Sequence, residues 1–242
     1  MAATRPPVRW AAEPCFLTRM VTLSPSEARR VYDRVGGKQD TQAFYEDRAT
    51  SELIPHLELG AAHAVFEFGC GTGRFAASLL KTHLPESATY HAVDLSSVMV
   101  ALAQRRLACF GSRVNVKLTD GGPPTDEPSG FYDRFLSNFV LDLLSMENID
   151  RVIHEAHRTL RPGGLLGLSS LTTGFTSASR ALGWLWSRVH ALSPSLVGGC
   201  RALELLQFLP QTQWEIRHHA RVAPLGIALE AVVAQRKQNA TV

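Results

Sequence analysis

The ten residues "FEFGCGTGRF" (66–75) constrain this chain more than any other stretch. Gly69, Gly71 and Gly73 follow a short apolar run and stand directly before a helix-like pattern, "GRFAASLLKTHL". A strand, a glycine turn and a helix in that order let a ligand approach the backbone at the end of a buried strand. The spacing narrows the ligand. A dinucleotide loop needs Gly-x-Gly-x-x-Gly, and Arg74 stands where its third glycine would be; a phosphate loop needs Gly-Lys-Ser/Thr, which is absent here. Glu67, two residues before the first glycine, suits a ligand with an amino-acid end and a ribose.

The surrounding chain has an alternating rhythm. "HAVFEF" (63–68), "TYHAVDL" (89–95), "RVNVKL" (113–118), "FYDRFLSNFV" (131–140) and "LLGLSSL" (165–171) predict strands, with helical patterns between most of them. That alternation predicts a parallel sheet covered on both faces. Ahead of it, "SPSEARRVYDRV" (24–35) opens a helix on the capping pair Ser24 and Glu27. A second helical stretch follows and breaks at Pro55. "RPGG" (161–164) is expected to stop the helix before the strand at 165. Beyond Leu171 a helix carries an aromatic stripe of Leu182, Trp184, Leu185, Trp186 and Val189, and Trp184 and Trp186 are expected to pack inward. Two strand-like segments, "QWEIRHHARV" and "GIALEAVVAQ", close the chain.

Asp94 ends its strand 21 residues after Gly73, where a carboxylate can accept from both hydroxyls of a ribose. With these features in place, the chain resembles the class I S-adenosylmethionine-dependent methyltransferases over residues 28–236, and most closely their small-molecule branch of quinone and phospholipid-headgroup enzymes. "FEFGCGTG" is similar to that family's first motif and "AVDLS" to its second. "LTDGG" (118–122), "YDRFLSNFVLDLL" (132–144) and "HRTLRPGGLLGLSSL" (157–171) follow in the family's order. The resemblance implies a Rossmann-like α/β fold: seven mostly parallel strands in the order 3-2-1-4-5-7-6, the seventh antiparallel, with helices on both faces. It implies S-adenosyl-L-methionine as cofactor. Glu67, Gly69, Cys70, Gly71 and Gly73 would line its methionine end, Asp94 would hold the ribose, and Leu95 would cover one adenine face. Asp120, with Gly121 beside it, would accept from the adenine amino group. Ser137 or Asn138 would present backbone near the sulfonium, and Phe139 would cover it. The family also implies a single domain over 24–242, with an N-terminal helical cap at 24–60 and a helical lid insert at 172–210. Residues 1–23 are expected to be a disordered extension.

Methyl transfer asks a protein chiefly for alignment and exclusion of water, and for a base only where the acceptor must lose a proton. Asp142, just past the fourth strand, and Tyr45, in the N-terminal helices, are the catalytic candidates. Asp142 also reads as a first-turn acid stabilised by a helix dipole. The acceptor is expected to be a small, partly apolar molecule. The fourth motif lacks the Asn/Asp-Pro-Pro-aromatic signature of amino-directed nucleic-acid enzymes, and no basic stripe runs along the chain, so nucleic acid is disfavoured. A catalytically silent protein that binds the cofactor or docks a partner is the alternative function.

Other chemistry is poorly supported. Cys15, Cys70, Cys109 and Cys200 are widely spaced, without a Cys-x-x-Cys pair, which indicates reduced thiols in a cytoplasm and no metal site. His154 and His157 share a helical face but lack a third ligand, and His218 and His219 alternate across a strand. No apolar run is long enough to span a membrane.

Overall fold

A computed structural model of the chain describes residues 22–123, 125–192 and 199–238. The extension expected over 1–23 therefore lies outside the described residues apart from its last two. Part of the segment expected as a lid, 193–198, lies outside them as well.

Two helices come first, α1 (Pro25–Val35) and α2 (Ala43–Leu53), joined by a 3-10 turn at Gly36–Gln42. Ser24 and Glu27 form the expected reciprocal capping box at the start of α1. The rhythm of strands and helices then appears: β1 (Ala64–Phe68), α3 (Arg74–Thr82), β2 (Thr89–Asp94), α4 (Ser97–Leu107), β3 (Val114–Leu118), β4 (Tyr132–Asn138), α5 (Met146–Thr159) and β5 (Leu160–Leu171). Ser96 caps α4 and Ser145 caps α5, each accepting a backbone N–H of the first turn. The chain ends through α6 (Ser177–Leu192), β6 (Trp214–Val222) and β7 (Leu229–Arg236).

The seven strands form one sheet in the order β3-β2-β1-β4-β5-β7-β6. β1 to β5 pair in parallel, and β7 runs antiparallel to both β5 and β6. Side chains alternate across each strand, so neighbours such as Val65 and Phe66, or Leu165 and Leu166, belong to separate buried clusters on the two faces.

One boundary differs from the sequence expectation. "RPGG" does not separate helix from strand; β5 already begins at Leu160. Its register against β4 slips between the Tyr132–Leu160 and Arg134–Leu165 pairs. Pro162, Gly163 and Gly164 thus form a bulge inside the strand, where a proline lacking its N–H and a glycine at φ +80° are tolerated.

Candidate active site

The fold brings the carboxyl ends of β3, β2, β1 and β4 side by side, and a cavity of about 430 Å³ runs across them. That volume falls in the range of roughly 300–1,000 Å³ typical of ligand pockets. Thr119 and Gly121 line it beyond β3, Leu95 and Met99 beyond β2, Gly69 to Thr72 beyond β1, and Phe139, Leu143 and Leu144 beyond β4. Leu23, Ala28 and Tyr32 close it from the N-terminal side.

Two motifs far apart in sequence meet in this cavity. The Gly71 N–H donates to Asp94 Oδ2 at 2.8 Å, and the Ser96 N–H donates to Asp94 Oδ1 at 2.9 Å. A carboxylate has about four acceptor positions, so capacity for hydroxyl donors remains. Burial pushes the Asp94 carboxyl above the usual carboxylate range, against the pull of the Ser96, Gly71 and Leu95 backbone donors. At Gly71, with φ +52°, a Cβ would meet no atom within 4 Å, so that direction is open. Its left-handed backbone together with free space over the cavity is what a close-approaching ligand requires.

Glu67 is buried at the floor, and its Oε2 accepts from the Tyr90 hydroxyl at 2.8 Å. Burial pushes its carboxyl up to about 7; the neighbouring Asp94 charge adds to the rise, while Tyr90 and Asn138 oppose it. Asn138 is oriented from behind, its Oδ1 accepting from Ser169 at 2.8 Å. Phe139 adopts φ +54°, uncommon for an aromatic residue, and its N–H donates to the Ser169 carbonyl at 2.9 Å.

Helix α1 and the 3-10 turn after it are fastened over the cavity mainly by polar bonds, whereas α2 also buries Ala49 and Leu53 in the core. Arg29 Nε donates to the Leu95 carbonyl at 3.1 Å, and the Ser96 hydroxyl donates to Asp33 at 2.5 Å. Thr72 in the glycine turn donates to Asp40 at 2.5 Å, and Arg106 from α4 pairs with Asp40 at 2.6 Å. Arg74 reaches Asp47 at 2.6 Å and Glu46 at 3.3 Å. Burial raises the Glu46 carboxyl despite Arg74. Among the described lining residues Arg74 is the one cation, facing Glu27, Asp40, Glu46, Glu67 and Asp94.

Of the residues singled out from sequence, Glu67, Gly69, Cys70, Gly71, Asp94, Leu95, Gly121, Asn138 and Phe139 line the cavity. Five others are placed elsewhere, among them Ser137, which is buried with its hydroxyl donating to the Phe68 carbonyl at 3.0 Å. Gly73 is the N-cap of α3, and a Cβ there would sit 3.0 Å from Ala103, so it serves the packing of the turn on α4. Asp120 is exposed and does not line the cavity, while its neighbours Thr119 and Gly121 do. Tyr45 stands behind the wall, edge-on to Phe139 with ring centres 5.9 Å apart, and its hydroxyl donates to Gln42 at 2.9 Å. Asp142 is fully buried in a 3-10 turn at Leu141–Leu143. Its two oxygens lack a well-formed hydrogen bond among the described residues, and burial pushes the carboxyl up to about 7. The backbone N–H groups of Asp142 and Leu171 and the Arg201 charge offset only part of that rise. The Asp142 carbonyl accepts from the Arg201 N–H at 3.1 Å, which ties this turn to the segment after Gly199. Trp184, expected to pack inward, faces outward instead.

The donor set fits S-adenosylmethionine: acids for a cationic amino-acid end, acceptor capacity at Asp94 for a ribose, and an open glycine between them. Comparison with known proteins agrees. Residues 65–164 match a family described as a methyltransferase domain. Methyltransferase GfsG of Streptomyces halstedii is 30% identical over 136 residues, 54% of this chain and 46% of that protein. The chain thus spans about half the length of GfsG, and a similar share of a carboxy-S-adenosyl-L-methionine synthase from Chromohalobacter salexigens. In fold, the chain is similar to the [4+2]-cyclase SpnF, with a TM-score of 0.67 at 17% identity, covering 90% of this chain and 97% of that one. The malonyl-[acyl-carrier protein] O-methyltransferase of Dechloromonas aromatica is 30% identical over 219 residues, 88% of this chain and 79% of that relative. A match of that extent, over a sheet of this order and a site built from these motifs, makes the chain a member of the class I S-adenosylmethionine-dependent methyltransferase family.

Proposed function

We propose that the protein transfers a methyl group from S-adenosylmethionine to a small, uncharged and partly apolar acceptor. The observation that carries this reading is the division of the cavity: acids and backbone over β1 and β2, and Tyr32, Phe139, Leu143 and Leu144 at and around β4. The bound cofactor supplies an activated methyl group on a sulfonium. In this reading Asp94 holds the ribose hydroxyls, Leu95 and Met99 cover the adenine, and Glu67 faces the cationic end. Phe139, braced by Tyr45, excludes water from the reacting centre. Asp142 positions Arg201 and the wall behind Tyr32, without contact with the acceptor.

The acid-rich lining argues against a free carboxylate or a polyanion as acceptor, because Arg74, the one cation among its described residues, is already paired. Curated relatives include tRNA and rRNA methyltransferases, so RNA is the competing acceptor class. Cys70, Cys109 and Cys200 are free, which supports a reducing compartment such as the cytoplasm. The test is release of S-adenosylhomocysteine from the purified protein with two acceptor panels, neutral phenols and quinols in one and tRNA and rRNA in the other. Turnover confined to the first supports the proposal. Turnover on RNA, or none on either, overturns it.

A further inference from the structure

The helix α6 is apolar on two sides, and among the described residues only one of them is covered. Leu182 faces the Pro224–Gly226 turn, lying 3.7 Å from where a Cβ on Gly226 would sit. Trp186 Nε1 donates to the Cys200 carbonyl at 3.0 Å. The opposite stripe carries Trp184, Leu185, Arg188 and Leu192, the spacing of one helical face. There Trp184 is 62% exposed, Leu185 53% and Leu192 86%. A helix serving only its own fold would place polar residues on that stripe.

A second observation lies on the turn beside α6. Leu225 is 84% exposed and holds φ +50°, a conformation that glycine or asparagine adopts at lower cost. A leucine there brings no core contact and carries backbone strain. It adds one more apolar projection next to α6.

The charge carried by α6 itself has a single sign. Arg180 and Arg188 lie on α6, and no acidic residue occurs from 171 to 203. The Arg188 guanidinium lies over the Trp184 ring at 5.1 Å from its centre, and Arg221 lies over Phe175 at 5.0 Å. Aromatic and aliphatic side chains that protrude among arginines match the layer where lipid headgroups meet acyl chains. Side chains this exposed need a deformable apolar medium, since a rigid protein partner would have to supply a separate pocket for each.

We propose that α6 and the Pro224–Gly226 turn dock the protein on the surface of an anionic lipid bilayer. Trp184, Leu185, Leu192 and Leu225 enter the boundary of the acyl region, while Arg180 and Arg188 meet headgroup phosphates. Docking of this kind needs no spanning segment, and no helix among the described residues is long and apolar enough to be one. Trp186 links the docked helix to Cys200, a neighbour of Tyr32 at the cavity wall. A bilayer held at α6 therefore lies beside the half of the cavity assigned to the acceptor, a step that rests on the proposed function, whereas docking itself does not.

The experiment is sedimentation of the full chain with vesicles of phosphatidylcholine alone, or of phosphatidylcholine and phosphatidylserine in equal parts. Binding to the mixed vesicles is expected to exceed binding to the neutral ones by about tenfold, and to weaken as salt is added. The double variant W184S/L185S is expected to lose about tenfold in binding, and R180E/R188E to lose the preference for phosphatidylserine. Leu225→Asn relieves the backbone strain, so it is expected to keep or raise the melting temperature while binding vesicles more weakly. That split is one a merely structural Leu225 would not produce. Absence of binding to mixed vesicles, or binding that all three variants leave unchanged, overturns the proposal. So does a concentration-dependent dimer abolished by W184S/L185S, which would make a second copy the occupant. Cofactor titration of the same preparations reads the active site separately, so failure of docking and failure of the methyltransferase reading are distinguishable.

Discussion

The two ends of the sheet handle buried charge in opposite ways. At the end where the strands begin, each acid has a cation or strong donor beside it. Glu155 takes Arg158 at 2.7 Å, and Glu127 takes the Tyr132 hydroxyl, with His91 and Lys117 nearby; both carboxyls are held below the usual range. Buried Arg134 donates to the Leu57, Glu58 and Asp133 carbonyls, and Asp133 accepts the His63 N–H at 2.7 Å. At the cavity end, Glu46, Glu67, Asp94 and Asp142 are all pushed upward by burial. Asp40 and the exposed Glu27 differ there, because Arg106 and Thr72 hold the first down and Ser24 the second. Internal pairing marks the scaffold, and a deficit of positive charge marks the site where a cationic ligand is expected.

Substitutions can break this contrast, and the largest effect belongs to the paired end. Arg134→Ala leaves the buried Leu57, Glu58 and Asp133 carbonyls without their donor and leaves the Asp133 carboxylate only Arg161 as a described cation, at 3.4 Å, so it should cost about 3–5 kcal/mol in denaturant unfolding. The folded fraction should bind S-adenosylmethionine as before; a large loss of affinity would mean that the two ends are not independent. Next comes Asp94→Ala, which should weaken S-adenosylmethionine about ten- to a hundredfold by calorimetry, as loss of charged hydrogen bonds implies. Unchanged affinity would remove Asp94 from the site. A smaller effect tests the sign of the charge deficit. Glu67 is neutral below its value of about 7 and anionic above it. Cofactor affinity should therefore rise, by up to about tenfold, between about pH 6 and pH 8, and Glu67→Gln should flatten that profile.

The smallest effect concerns stability. Asp142 has a folded-state value of about 7 against an ordinary 3.8, so its contribution is fully present below 3.8 and lost as pH rises through 7. Asp142→Asn should accordingly raise the melting temperature by a few degrees above pH 7 and do little near pH 4. Equal melting of the two proteins at high pH would show that Asp142 finds a partner when ionised.

Much of the sheet was legible in the chain because buried parallel strands are short apolar runs and their helices carry serine caps. The glycine turn and Asp94 were legible because ligand approach limits residue type at fixed places along a strand and turn. What escaped reading depends on contacts that no local pattern encodes. Thr72, Asp40 and Arg106 meet across 32 and 66 residues. Asp120 and Gly121 share one turn, and only the backbone path decides which of them lines the cavity. The stripe on α6 revealed a helix with apolar residues on two sides, but periodicity cannot say which side the rest of the fold covers. Gly73 looks like its neighbours in sequence because a close helix and a close ligand both demand the same absence of a side chain.

The polar fastening of α1 has a consequence for how the molecule comes apart. No side chain of α1 is buried, so lifting it exposes little apolar surface and asks water only to replace a handful of hydrogen bonds. Its amides should exchange with deuterium well ahead of those in β1 and β4, whose side chains are buried throughout the strand or nearly so. The N-terminal helices leave the ribosome before the sheet that receives them, and Asp40 must wait 66 residues for Arg106. Helix α1 is thus early in synthesis, late in docking and early in release, whereas α2, with Ala49 and Leu53 in the core, stays with the sheet.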